Sequence, residues 1–410
     1  MEDIVINKVM SSVSLINRVK YSKVLYAIYF HIGSFAINVL KCFLRADDKL
    51  IVFVSYGGRM MNDSPKAIYD AMLNDNRFIG CHFVWALRDP DRFDVPTGQK
   101  VRIDSLKYYV KVLQARVWVT NVGITRGLNF KGIDSFEINT WHGSAIKFIG
   151  SDAMSKESVF KTISFKKVKQ ARKQIFLAQS EYDVNIWERA LDISSQFVKI
   201  TGLPRNDELV QNNYFEYINE IKRKQGIPTN KIVLLYAPTF RDYAKGNDND
   251  FVMKPPVNFF KWQEKLGDDY LLLFRAHSAV TSVINIDNNS FVKDVSAYPN
   301  TNDLMLISDI LISDYSSIFF DYSIMHKPML CYAYDYDEYS EKRGMYFDIR
   351  KWIPSASDEE SLLQLIENTD VTEISESTRK FQEMYVTEFG HASEKSLDII
   401  YNSITSPVPT

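Results

Sequence analysis

Cysteine is nearly missing from this chain. Of 410 residues only three are cysteine, Cys42, Cys81 and Cys331, far apart and odd in number. They build no disulfide framework and no CxxC zinc site. Such sparse use fits a reducing compartment. Charge of one sign is missing too: 49 Lys+Arg face 51 Asp+Glu, a net of −2. A dedicated nucleic-acid binder usually carries a basic domain, so the balance argues against nucleic acid as a partner. Neither a Walker loop nor a clean GxGxxG occurs, and no short repeat or low-complexity tract is visible. What is present is ordinary globular material, 46% apolar and 24% charged. That excludes global disorder, and the length fits two or three domains.

An unambiguous membrane span is also lacking. The stretch VLYAIYFHIGSFAINVL, Val24 to Leu40, has 17 residues, at the lower limit for a span of about 20. His31, Ser34 and Asn38 weaken it further, and no small-residue cleavage site follows to mark a signal peptide. Six basic residues (Lys8, Arg18, Lys20, Lys23, Lys41, Arg45) face two acids in the first 46 positions. Residues 1–47 therefore read as a basic, apolar helical segment lying on an anionic membrane surface. A helix packed on the main body and a true span stay open as alternatives.

The remainder alternates strands and helices. Ile51–Tyr56 runs into Gly57-Gly58, a strand-then-turn signal, and Ser64 with Pro65 opens a helix. Cys81–Ala86, Val117–Thr120, Gln174–Gln179 and Phe197–Thr201 are further strand candidates. After a polar helix at Asp207–Gln225 and the breaker Gly226-Ile227-Pro228, the pattern restarts. Lys231–Ala237, Tyr270–Ala276, Asp309–Ser313 and Pro328–Ala333 are apolar enough to be buried parallel strands. The reading is α/β, with two Rossmann-like domains of parallel sheet facing a cleft. Residues 48–226 form the first domain and 227–375 the second. A helical tail, 376–410, packs back toward the first.

Four polar clusters fall at strand ends, where open α/β sheets bind ligands. Thr140-Trp141-His142-Gly143-Ser144 offers a histidine suited to taking a proton from a hydroxyl, although a lone histidine is as a rule structural. Pro238-Thr239-Phe240-Arg241 offers phosphate donors. Arg275 and His277 alternate onto one side of an extended strand, so two donors there could grip a pyrophosphate. Ser316 and Ser317 lie at the N-terminus of a helix expected at Ser316–Met325, where free N–H groups favour anions; simple N-capping is the bland alternative. Asp335-Tyr336-Asp337 has two carboxylates inside an acidic aromatic run, and no metal site is assigned to it.

Five stretches in order, TWHGSAIKFIG, ITGLPRND, LLYAPTFRD, FRAH and LISDYSSIFFDYSIMHKPMLCYAYDYDEYSEKRGMYFD, make the chain similar to the CDP-glycerol glycerophosphotransferase family. These are the teichoic acid primases and polymerases of Gram-positive bacteria and related capsule enzymes. The resemblance implies a GT-B-like fold and transfer of glycerol phosphate from CDP-glycerol to a hydroxyl of a lipid-linked glycan acceptor, with release of CMP. By the same resemblance His142 is the general base, and His277 is a second essential histidine near the donor pyrophosphate. Thr239, Arg241, Ser316 and Ser317 are donor contacts, and Arg275 joins them by position. Trp141, Gly143, Ser144 and Lys147 are acceptor-side candidates. Many relatives read WHGTPLK where this chain has Ser144-Ala145-Ile146-Lys147, so the lost proline reshapes the acceptor side.

Phosphoryl transfer depends mainly on positioning and electrostatics, so no cofactor or metal is expected. A second basic segment follows the WHG motif: between Ser151 and Ala178, Lys156, Lys161, Lys166, Lys167, Lys169, Arg172 and Lys173 face only Asp152 and Glu157. Apolar residues are interleaved, and the segment reads as a further contact with anionic lipid. These features place the chain peripherally on the cytoplasmic face of a bacterial membrane and leave an oligomer open. CDP-ribitol or a nucleotide sugar as donor, and a non-catalytic assembly protein on the same fold, are the competing readings.

Overall fold

The computed structural model describes residues 22–153, 173–210, 215–239, 241, 252–253, 256–276, 282–283, 289–368 and 370–405. His277, Phe240 and the basic residues Lys156, Lys161, Lys166, Lys167, Lys169 and Arg172 lie outside the described residues.

Two parallel sheets carry the chain. The first holds β1 (Asp47–Val54), β2 (His82–Leu87), β3 (Gln99–Arg102), β4 (Ala115–Thr120), β5 (Phe136–Asn139), β6 (Lys173–Ala178) and β7 (Val198–Ile200). Their order is β3-β2-β1-β4-β5-β6-β7, and all pairings are parallel. The second sheet takes β8 (Ile232–Tyr236), β10 (Tyr270–Phe274), β12 (Val292–Asp294), β13 (Ile310–Ser313), β14 (Met329–Tyr332) and β15 (Ser355–Ala356) in the order β12-β10-β8-β13-β14-β15. A two-stranded pair, β9 (Val252–Met253) with β11 (Ser282–Val283), stands apart.

Both sheets are covered on both faces, which explains the unbroken apolar runs. In β1, Val52 and Val54 join one core cluster while Ile51 and Phe53 join another. In β8, Val233 and Leu235 face one layer, and Leu234 and Tyr236 the other.

The helices at the domain junctions differ from expectation. A 3-10 turn, Pro204–Val210, and a separate helix, Phe215–Lys224, stand where one polar helix was expected. The helix Val371–Tyr385 still belongs to the second domain, placing Phe381 and Tyr385 in its core. Only the last helix, Ala392–Thr405, returns to the first sheet, with Leu397 and Ile400 beside Ile51 and Phe53. The crossing segment is pinned where Thr387 and Glu388 N–H groups donate to the Gln179 carbonyl, both at 3.0 Å.

Helix α1 (Lys23–Lys41) begins at Ser22, whose hydroxyl accepts from the Leu25 N–H. It lies along the first domain and buries Tyr26, Phe30 and Ile37. Tyr29 Oη donates to the Arg126 carbonyl (2.9 Å), Asn38 Nδ2 to that of Asn129 (3.0 Å), and the Asn129 N–H to Ser34 Oγ (2.8 Å). Gly33 lets the helix approach closely, since a Cβ there would sit 2.8 Å from Leu128 Cδ2. The opposite face is apolar and has no partner among the described residues: Val24, Ile28, Ile32, Phe35 and Val39 are all exposed. α1 is the one described helix long and apolar enough to cross a membrane by length and composition.

Candidate active site

The carboxyl ends of the two sheets face each other across a cavity of about 1470 Å³. From the first domain it is lined by Tyr56, Asp63, Trp141, His142 and Arg205, and from the second by Thr239, Arg275, Ser316 and Ser317.

β5 delivers the histidine. Thr140 continues its ladder by donating to the Thr120 carbonyl (2.8 Å). Then Trp141 (φ 52) and Gly143 (φ 129) turn the chain through the left-handed region. The His142 ring stacks on Trp141, centroids 4.7 Å apart. Its Nδ1 lies 3.2 Å from the Asn121 carbonyl. A carbonyl only accepts, so Nδ1 carries the proton and Nε2 is left with its lone pair. The ring is open to the cavity but deep within it. Burial pushes its pKa below the ordinary value; the Asn121 bond and Asp63 oppose this, while Arg205 and Lys147 add to it. Burial therefore favours the neutral imidazole, the form that can accept a proton. Gly143 brings this loop against the second domain: a Cβ there would lie 3.2 Å from Ser317 Oγ and 3.3 Å from Arg205 Nη2.

Arg205 ties the domains together. Its Nη1 bonds Asp63 (2.9 Å) and its Nη2 bonds Asp321 (2.8 Å). Its backbone is held from both sides as well, the N–H donating to Ser64 Oγ (3.3 Å) and the carbonyl accepting from Asn302 Nδ2 (2.6 Å). Asn206 adds a 2.7 Å bond to Asp321. Burial raises Asp63, but the Arg205 charge and the Tyr56 hydroxyl outweigh it and hold the carboxyl below its usual range. Asp321 stays above its usual range because burial prevails over Arg205 and Asn206. In the sequence Arg205 falls inside ITGLPRND and Asp321 inside the serine motif, but no local pattern marks either of them, or Asp63, as part of a bridge.

On the facing wall, β10 ends at Arg275. Its guanidinium donates to the Val295 and Tyr298 carbonyls (3.2 and 2.9 Å) and to Thr301 Oγ1 (3.0 Å). None of these partners is charged, and burial alone lowers its pKa. Among the described residues this arginine has no carboxylate partner, so it presents positive charge at the cavity wall. Beside it, Thr239 is 6% exposed and its Oγ1 has no hydrogen-bond partner among the described residues. Its N–H is fixed by Asp314 (2.8 Å). Ser316 and Ser317 line the same wall.

Three expectations are corrected by this geometry. Arg241 does not line the cavity. It makes two bonds to Asp335 (2.7 and 2.8 Å), contacts Asp314 (2.9 Å), and stands over the Tyr315, Tyr334 and Tyr339 rings. It locks the loop that carries Thr239, since its Nη1 also donates to the Thr239 carbonyl (2.7 Å). This also gives Asp335 a partner. Ser144 touches the lining, but its hydroxyl is buried and consumed by Asp183 and Gln179, both at 3.0 Å. Burial pushes that Asp183 up to about 6. The helix after the serine pair spans only Ile318–Ser323, and the Ser316 hydroxyl accepts from the Ile318 N–H (3.3 Å). Lys147 does line the cavity. Lys173 starts β6 and pairs with Asp134 at 3.7 Å.

The chain is similar to known proteins over most of its length. A teichoic acid glycerol-phosphate transferase of Staphylococcus aureus is 31% identical over 369 residues, 86% of this chain and 92% of that protein. A teichoic acid poly(glycerol phosphate) polymerase of Bacillus spizizenii is 30% identical over 393 residues, 92% of this chain and 97% of that one. A solved histidine-to-alanine variant of the wall teichoic acid polymerase TagF superimposes with a TM-score of 0.82 at 28% identity, covering 93% of this chain and all of that one. A histidine-to-asparagine variant of TagF has been solved after soaking with CDPG. The family model for CDP-glycerol:poly(glycerophosphate) glycerophosphotransferases matches residues 36–406, and the chain belongs to that family.

Proposed function

We propose that the chain moves glycerol phosphate from CDP-glycerol to a hydroxyl of a lipid-linked acceptor in teichoic acid or related polymer synthesis. The observation that carries this is His142, its Nδ1 held by the Asn121 carbonyl and its Nε2 without a partner among the described residues, in a cleft opposite Arg275, Thr239, Ser316 and Ser317. The acceptor hydroxyl attacks the glycerol-bearing phosphorus while Nε2 takes its proton. The bond from that phosphorus to the CMP oxygen breaks, and CMP leaves with the electron pair. Arg275 and the hydroxyls of Thr239, Ser316 and Ser317 face the donor phosphates and offset the charge that builds on them. His277, which lies outside the described residues, keeps the donor-side role that the family resemblance implies. General-base assistance accounts for about 10²–10⁴ in rate.

The same reading places the chain on the inner membrane surface. α1 is hydrogen-bonded to the first domain by one face and presents an apolar stripe on the other. That geometry suits lying in the interface rather than crossing it. Incubation with CDP-glycerol, CDP-ribitol or a UDP-sugar plus lipid-linked acceptor tests the chemistry. The expected result is CMP and a phosphodiester product from CDP-glycerol. Release of a nucleoside diphosphate, or turnover with CDP-ribitol alone, contradicts it.

A further inference from the structure

A second cationic centre sits on the first domain, outside the donor wall. Gly57, in the turn after β1, has φ 62, and two guanidinia close on it. Arg126 Nη1 lies 3.4 Å from where a Cβ would stand, and Arg88 Nε donates to the Gly57 carbonyl at 3.2 Å. The Arg88 N–H is fixed on the Gly58 carbonyl at 2.7 Å. Arg59 follows in the same turn. After burial, the charges of Arg126 and Arg59 are what lower the Arg88 pKa, with Asp104 opposing. Asp104 is committed to Arg126 through Nε and Nη2, at 2.9 and 3.1 Å. Arg59 and Arg88 are exposed and form no ion pair among the described residues. Three arginines thus answer to one carboxylate.

The position of this cluster gives it meaning. On one side the Arg126 and Gly127 carbonyls accept from Tyr29 and Tyr26 of α1, at 2.9 and 3.2 Å. On the other, Tyr56 immediately precedes Gly57, lines the cavity, and has its ring centroid 6.4 Å from that of His142. A continuous run of contacts leads from the apolar helix, through the arginines, to the base.

We infer that Arg59, Arg88 and Arg126 bind the phosphate group of a membrane lipid and hold a lipid-borne acceptor at the His142 end of the cavity. Guanidinium groups match phosphate oxygens in paired hydrogen bonds, and an unbalanced cluster beside an interfacial helix meets anionic headgroups first. The inference rests on the membrane-docking reading above.

The test is co-sedimentation of the full chain with phosphatidylcholine vesicles doped with phosphatidate, or with oleate at matched surface potential. Wild type is expected to prefer phosphatidate by at least tenfold. Arg59→Gln/Arg88→Gln is expected to lose that preference. Lys41→Gln/Lys131→Gln, which removes the same charge beside the far end of α1, is expected to bind both vesicles more weakly and keep it. Wild type that binds both vesicles equally, or a double arginine variant that keeps the preference, overturns the arginine site and leaves membrane docking intact. Wild type that binds no vesicle defeats the docking reading, and the lipid assignment falls with it. Saturable binding of inorganic pyrophosphate that needs Arg59 and Arg88, without any vesicle preference, overturns the lipid source in favour of a soluble phosphate.

Discussion

Arg205→Gln removes the one cation between two buried carboxylates. In the wild type its side chain is 12% exposed, against 5% for Asp63 and 10% for Asp321. The substitution leaves both acids without their charge partner. Breaking one buried pair costs about 3–5 kcal/mol, and this bridge holds two, so the upper half of that range applies at pH 7. At about 2–4 °C per kcal/mol, lessened for a longer chain, the melting point should fall by roughly 5–10 °C. The loss should depend on pH with a definite sign. In the wild type Asp63 titrates below its unfolded value, so its share of stability is present above the unfolded pKa and is lost as pH falls through the folded one. Without Arg205, burial is the largest remaining influence on both acids. The folded pKa of Asp63 then rises above its unfolded value and that of Asp321, already above it, rises further, so the variant destabilises as pH climbs through the raised values. The deficit should therefore shrink between pH 7.5 and pH 5. Differential scanning calorimetry at the two pH values reads this, and separation of one transition into two would show the domains uncoupling. A melting point within 2 °C of wild type at both pH values would refute the reasoning.

Three further outcomes follow from the same geometry. Because burial lowers the His142 pKa, kcat/KM should rise with pH along a limb centred below 6.5 and level off where the ring is neutral; a limb above 7 speaks against the base role. Gly143→Ala forces a side chain at φ 129 to within 3.2 Å of Ser317 Oγ. Turnover should fall at least tenfold, with a loss of about 1–3 kcal/mol in denaturant unfolding. Thr239→Val keeps the volume and removes a hydroxyl that no described group partners. Stability should change by less than about 1 kcal/mol while KM for CDP-glycerol rises several-fold, and an unchanged KM removes Thr239 from the donor site.

The strands could be read from the chain because both sheets are buried on two faces, so runs such as Ile232–Tyr236 carry no competing polar alternation. The polar residues that end those runs were correspondingly visible, and His142, Thr239, Arg275, Ser316 and Ser317 meet in one cavity. What escaped was pairing over distance. Arg205 meets acids 142 and 116 positions away, and no local pattern reports that. Arg241 shows the converse: a cation after a strand reads as a phosphate donor, and its pairing with a carboxylate 94 positions on is not visible locally. Ser144 misled in the same way, since a small hydroxyl beside His-Gly looks free until Asp183 and Gln179 close on it. For α1, the apolar spacing announced a helix with an interface. That Tyr26, Phe30, Gly33 and Ile37 form a docking face, leaving Ile32 and Phe35 outward, required the tertiary contacts.

The most direct measurement is CMP release from CDP-glycerol by wild type and His142→Ala, with lipid-linked acceptor in excess and CDP-glycerol binding followed in parallel. The account predicts a fall in turnover of at least a hundredfold, with the dissociation constant for CDP-glycerol nearly unchanged. A folded variant that releases CMP at the wild-type rate contradicts it.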